Sequence, residues 1–141
     1  MSASKQRLYW RLQLAAHFLQ KRADRELKRK ANITTAQTGV LAVIANGSEV
    51  TQKDIATALG LNESAVTAMV RRLIALDYVT RQRSEVDQRS RLLTLTDLGK
   101  EVQQNVRPPF KKINDKIEDV LDDDEIDKLA DYLTRLTRSF E

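Results

Sequence analysis

The sequence predicts a mainly α-helical domain that carries one small β-ribbon. Three observations point there. Apolar residues recur at intervals of three and four along most of the 141 residues, which is the spacing of a helix face. Only four Gly and two Pro are present, too few for an all-β chain that turns every 8–12 residues or so. Residues 78–96 alone break the helical period, with two short runs rich in strand-forming side chains. The length suits one domain on the usual scale of roughly 100–200 residues.

The first helix is expected over Lys5–Lys30. Leu8, Leu12, Ala15, Leu19 and Ala23 form one stripe, and Trp10, Leu14, His17 and Phe18 form a second strip beside it. A surface helix of a monomer normally buries one stripe, so two strips predict burial against the chain's own domain and against a partner copy. Its C-terminal half, with Lys21, Arg22, Arg25, Lys28, Arg29 and Lys30, suits the negative end of the helix dipole. Thr34 and Gln37 have the spacing of a capping box and open a second helix whose inward side is Val40, Leu41, Val43 and Ile44. Asn46-Gly47 should end it, because both residues tolerate a left-handed conformation.

A third, short helix follows Thr51 as N-cap, with Asp54 in its first turn, Ile55, Ala58 and Leu59 inward, and Gly60 as its stop. Asn62 caps a fourth helix from Glu63 to about Leu76, with Val66, Met69, Val70, Leu73 and Leu76 inward. Two helices joined by Gly60-Leu61-Asn62 have the pattern of a helix-turn-helix, and equally that of an ordinary αα-corner. The next segment separates the two. Tyr78–Arg83 and Arg91–Thr96 read as strands joined by the polar stretch Ser84–Ser90, and a ribbon directly after a helix-turn-helix is a wing. From Glu63 to Arg91 there are six arginines and no lysine. Arginine presents a planar fork that meets phosphates and guanine edges with two parallel bonds. Thr96 then caps a fifth helix carrying Val102 and Val106. Pro108-Pro109 should kink or break it, with helix resuming near Phe110. Asp122-Asp123-Asp124-Glu125 marks a last helix start, with a stripe of Ile126, Leu129, Tyr132, Leu133 and Leu136.

The charge pattern narrows the function classes. The net charge is +4, yet residues 115–131 hold nine acids and two lysines, which leaves +11 on the rest. A basic body with an acidic segment set apart predicts a polyanion as partner. The chain has no Cys and one His, which excludes disulfide, thiol and thiolate-metal chemistry and leaves no His cluster for zinc. One His without a strand-elbow Gly motif supplies no nucleophilic triad, so an enzyme is not expected, nor is any cofactor. Aromatics at 5% offer no stacking platform for single strands. No apolar run is long enough to cross a membrane and no signal-peptide pattern opens the chain, so a cytoplasmic protein is the expectation.

In this order the elements and motifs resemble the multiple antibiotic resistance regulator (MarR) family of bacterial transcription factors. The residues that carry the resemblance are Thr51-Gln52-Lys53-Asp54-Ile55-Ala56, Asn62-Glu63-Ser64-Ala65-Val66-Thr67, Arg72-Leu73, Val79-Thr80-Arg81, Asp87-Gln88-Arg89 and Leu95-Thr96-Asp97-Leu98-Gly99. The spaced pair Asp-x-Arg then Leu-Thr-x-x-Gly is the most specific part, and the resemblance spans essentially the whole chain. It implies a winged helix-turn-helix at residues 33–96 between dimerisation helices at 1–32 and 97–141. It further implies an obligate homodimer that reads a pseudo-palindromic double-stranded operator and is released by a small aromatic or anionic effector. Ala68 stands where the family often has a cation, Arg71 where an Asp is common, and Asp77 where a Gly ends the recognition helix. Ile74 and Leu76 are apolar where charges are usual. These departures bear on base preference, not on fold.

The candidate DNA-contacting residues are Ser64, Thr67, Arg71 and Arg72 on the fourth helix and Arg83, Asp87, Arg89 and Arg91 on the wing. Arg89 is the expected minor-groove residue, since narrow grooves attract arginine, and Asp87 would hold its guanidinium extended. Trp10 and His17 are the candidates for effector contact. The stronger reading of each is packing: Trp10 at an interface between copies, His17 beside Leu14 and Phe18. The acidic run 122–125 lacks the spaced ligands and Gly of a calcium loop and reads as a helix cap. The alternative to DNA binding is a winged-helix module that docks a protein. An Arg-rich wing argues against it, because such docking needs no cluster of arginines.

Overall fold

The computed structural model describes residues 7–86 and 91–141. Among them are seven helices and one two-stranded sheet: α1 (Leu8–Ala31), α2 (Thr35–Asn46), α3 (Gln52–Leu59), α4 (Glu63–Ala75), β1 (Val79–Arg83), β2 (Arg91–Leu95), α5 (Asp97–Asn105), α6 (Arg107–Val120) and α7 (Asp123–Ser139). The chain forms two compact units, Met1–Arg107 and Pro108–Glu141. The mainly α winged-helix class read from the sequence is the class observed.

In the first unit, α2, α3, α4, β1 and β2 surround a core of fully buried Leu27, Ile33, Leu41, Ile55 and Leu73. Burying a side chain of this kind contributes about 1.5–3 kcal/mol each. Helix α1 reaches that core only through Ala23, Leu27 and Ala31 in its last turns. Its stop is Asn32, left-handed at φ 55°, a residue that tolerates this conformation. Three hydrogen bonds anchor this end. Asp24 Oδ1 accepts from the Thr35 amide and from Thr35 Oγ1, both at 2.6 Å, and so caps α2 from outside it. The buried Tyr78 hydroxyl donates to Ala31 O at 3.0 Å.

The sheet is antiparallel, in a register that runs from Val79 opposite Leu95 to Arg83 opposite Arg91. Val50 adds one further bridge, its carbonyl accepting from Leu93 N–H at 2.8 Å. After β2, Thr96 caps α5 by accepting from Gly99 N–H at 2.9 Å, while its own hydroxyl donates to Asp77 O at 2.6 Å. A Cβ on Gly99 would run into the Tyr78 carbonyl. The Leu-Thr-x-x-Gly motif is thus a cap followed by a close approach of helix to backbone.

Several sequence expectations need correction. Ala58 is exposed and Ala56 buried, because α3 turns its Ile55–Ala56 edge inward. Met69, Leu76 and Val43 are only half-buried, whereas Val66, Val70 and Leu73 are fully covered. Gly47 is extended (φ −103°), not left-handed. A Cβ there would strike Val50, so lack of space is what selects glycine. The positive φ in that loop falls on Glu49 (54°). Asp77 does take the left-handed place of the missing Gly, at φ 62°. The interruption of the last long helix lies at Val106 and helix resumes at Arg107, so both prolines sit in the first turn of α6. There their missing amide donors would have had no intrahelical partner.

In the second unit, Asp122 caps α7 in a full capping box with Glu125. Leu129, Tyr132, Leu133 and Leu136 of the α7 stripe are uncovered on this single chain, Tyr132 at 51% exposure, and Ile126 is half-buried. The two strips on the N-terminal half of α1 are uncovered as well, Trp10 at 69% and Phe18 at 59%. The expectation that one strip packs on the chain's own domain holds only at Ala23.

Candidate nucleic-acid interface

The helix-turn-helix is held by caps at each joint. Thr51 opens α3 in a capping box with Asp54: Thr51 N–H donates to Asp54 Oδ2 at 2.9 Å, and Asp54 N–H to Thr51 Oγ1 at 3.2 Å. Hydrogen bonding to the Asp54 carboxyl from the Thr51 amide, and then from the Thr51 side chain, holds it below the usual carboxylate range. Gly60 turns the chain at φ 65°, a conformation that disfavours any side chain. Asn62 Oδ1 then accepts from Ala65 N–H at 2.8 Å and opens α4.

With Val66, Val70 and Leu73 buried, the helical period turns Ser64, Ala68 and Arg71 to the opposite face, with Thr67 and Arg72 on its two flanks. Ser64, Arg71 and Arg72 are exposed and Thr67 is half-buried. Ser64 Oγ donates to Asn62 Oδ1 at 2.7 Å. Arg72 lies on the flank toward the α1–α2 junction. It lines a cleft of about 270 Å³ together with Asp24, Lys28, Asn32, Thr34 and Gln37. Trp10 and His17 line neither this cleft nor one of about 390 Å³ beside Gly47, Leu93 and Lys100. They stand on α1, Trp10 edge-on to Tyr9 at 5.0 Å and His17 edge-on to Phe18 at 5.6 Å between ring centres.

On the ribbon, Arg81 and Arg83 are two apart on β1, and Arg91 is directly opposite Arg83. Strand alternation puts all three on one face, the face that carries buried Val79 and Leu93. That face turns toward the helix-turn-helix, and Arg81 Nη2 donates to Gln52 Oε1 on α3 at 2.9 Å. The other face is pinned by a 2.8 Å bond between the hydroxyls of Thr80 and Thr94. Like charges directly opposite each other on paired strands destabilise a sheet, so the exposed pair Arg83–Arg91 is a local liability unless an anion lies against it. Asp87 and Arg89 lie outside the described residues. Among the described residues no group of three or more His, Cys, Asp or Glu is placed to hold a metal ion, and no helix is long and apolar enough to cross a membrane.

Sequence reasoning missed Gln52, Arg81 and Asp24 as organising residues. Gln52 bonds to Arg81 and to Thr67, and Asp24 to Thr35, across 29, 15 and 11 positions of chain respectively. No local pattern encodes pairings at such separations.

A MarR-family model matches residues 31–90. The transcriptional regulator MgrA of Staphylococcus aureus is 31% identical over 115 residues, covering 80% of this chain and 76% of its own length. The chain belongs to the MarR family of DNA-binding transcriptional regulators. Solved structures of transcriptional regulators share its fold, and two of them illustrate it. Sco3205, a MarR-family regulator from Streptomyces coelicolor in complex with DNA, superposes with a TM-score of 0.90 at 22% identity, covering 100% of this chain and 94% of that one. The regulator PcaV from Streptomyces coelicolor, in complex with its natural ligand, superposes at 0.80 with 25% identity, covering 95% and 92%. This MarR-family chain has its wing at β1–β2, directly after the helix-turn-helix α3–α4.

Proposed function

We propose that the protein is a cytoplasmic, ligand-responsive repressor that binds a pseudo-palindromic operator as a homodimer. Residues 33–96 would read the duplex, and residues 1–32 and 97–141 would join the two copies. The observation that carries this reading is the arginine face of the ribbon. Arg81, Arg83 and Arg91 share the side turned toward α3 and α4, and the facing pair Arg83–Arg91 needs an anion to offset its repulsion. A duplex backbone supplies one charge per about 1.7 Å of axis. Ser64, Thr67 and Arg71 are proposed to enter the major groove beside it. Arg89 would enter the minor groove, oriented by Asp87.

The uncovered strips of α1 and the stripe of α7 support the homodimer, since obligate interfaces commonly bury more than about 2,000 Å² of largely apolar surface. Ligand response is supported by PcaV, which was solved with its natural ligand. A small aromatic or anionic effector is proposed here too, with Trp10 and His17 meeting it at an interface between copies. A winged module that docks a protein has no use for the facing cations.

The test is selection from a pool of randomised duplexes, followed by footprinting of the enriched sequence. A protected two-fold-related site is the expected result. Failure to enrich any duplex at low salt would overturn the reading.

A further inference from the structure

One side-chain amide joins the ribbon to the recognition helix. Gln52 Oε1 accepts from Arg81 Nη2 at 2.9 Å, and Gln52 Nε2 donates to Thr67 Oγ1 at 2.9 Å. Thr67 Oγ1 in turn donates to Glu63 O at 2.9 Å. The direction of every bond is fixed by chemistry. A guanidinium has only donors, so the amide oxygen must face it and the amide nitrogen must face Thr67. The hydroxyl then accepts from the amide and donates its proton to a carbonyl, which has no proton to give.

Arg81 is exposed, and its partner in this chain of bonds is neutral. The bond therefore fixes the direction of the guanidinium while leaving its charge in place and most of its donors unused. Arg81 also lies two hydrogen bonds away from Thr67 and three from Glu63 in the first turn of α4, the end of the helix proposed to enter the groove. We infer that Arg81 is a phosphate-contacting residue of the DNA interface and that Gln52 is its positioning residue, locking ribbon and recognition helix into one reading surface. The inference rests on the proposed DNA binding and adds to it two residues outside the reading helix and the wing tip.

The residue types fit that task. A carboxylate at position 52 would hold Arg81 more strongly but cancel the charge that a phosphate needs. A lysine at position 81 would keep the charge but lose the planar fork that fixes direction. Glutamine holds the guanidinium without neutralising it and has a donor left for Thr67.

The experiment measures affinity for the duplex enriched by the unsubstituted protein, and for a shuffled duplex of equal length, using Arg81→Ala, Gln52→Ala and the double variant. Thermal unfolding is followed in parallel, and Gln52→Met serves in place of Gln52→Ala if the alanine variant does not fold. Each single variant is expected to bind the enriched duplex about tenfold more weakly with little change in melting temperature. Arg81→Ala should also reduce the salt slope by about two phosphate contacts, one from each copy of the homodimer. The double variant should lose far less than the product of the single losses, because both substitutions remove the same directed contact. Gln52→Glu should lose affinity although it keeps Arg81 bonded. Independent losses that multiply to about a hundredfold, or Arg81→Ala binding within about twofold of the unsubstituted protein, would overturn the inference and leave DNA binding standing. Should the unsubstituted protein enrich no duplex, the proposed function falls and this inference with it.

Discussion

Thr67 is the residue at which reading and packing meet. Its hydroxyl is tied to Gln52 and to Glu63 O, so it orders the start of α4 as well as facing the proposed groove. Thr67→Val keeps the shape and removes both bonds. Weaker binding to the enriched duplex with a fold intact by circular dichroism is expected, and unchanged affinity would remove this position from the interface. Gly99 is a second such point. Gly99→Ala forces α5 off the Tyr78 carbonyl. Overpacking of this kind costs about 1–3 kcal/mol, or a fall of several degrees in melting temperature at fixed protein concentration. Asp54 gives a pH signature. Its carboxyl is held low by Thr51, so its contribution is present above the ordinary carboxylate pKa and is lost as pH falls through the lowered value. Asp54→Ala should melt earlier than the unsubstituted protein at neutral pH, with the gap closing below about pH 4. The caps at Thr34, Thr51, Asn62, Thr96 and Asp122 were legible because a cap is written within four residues of sequence. Gly47 was misread because its requirement, the nearness of Val50, belongs to the folded loop.

At the scale of elements, the ribbon trades stability for charge. Arg83→Thr removes the facing cations at the outer end of the described strands. It should raise the melting temperature slightly, by the roughly 0.2–1 kcal/mol of a cross-strand pair, while weakening the enriched duplex complex and flattening its salt dependence. Loss of stability together with unchanged binding would show that Arg83 only packs. Element types and order were readable from periodicity, since α2, α4 and α5 each bury a regular stripe. The break before α6 was placed late, because proline signals a boundary without saying on which side of it the helix restarts; first-turn prolines belong to the new helix. The wing was readable as a ribbon from Tyr78–Arg83 and Arg91–Thr96. The face its arginines share required the register.

At the scale of the whole molecule, the uncovered strips of α1 and the stripe of α7 make association part of the account. Sedimentation should find a dimer at micromolar concentration, and a stable folded monomer there would contradict it. With no Cys in the chain, low peroxide should leave DNA binding unaffected on the timescale of thiol oxidation. The family was legible from sequence because its motifs are caps, a close-approach glycine and the spaced pair Asp-x-Arg, each local in the chain. The operator and effector were not, because both depend on surfaces that two copies build together. The central claim is that a cationic reading surface on α4 and the ribbon binds duplex DNA through its phosphates. Titration of the enriched duplex at increasing salt tests it most directly. The account predicts that log affinity falls linearly with log salt, with a slope steeper than about −3 from several phosphates each contributing about −0.9. A slope near zero would contradict it.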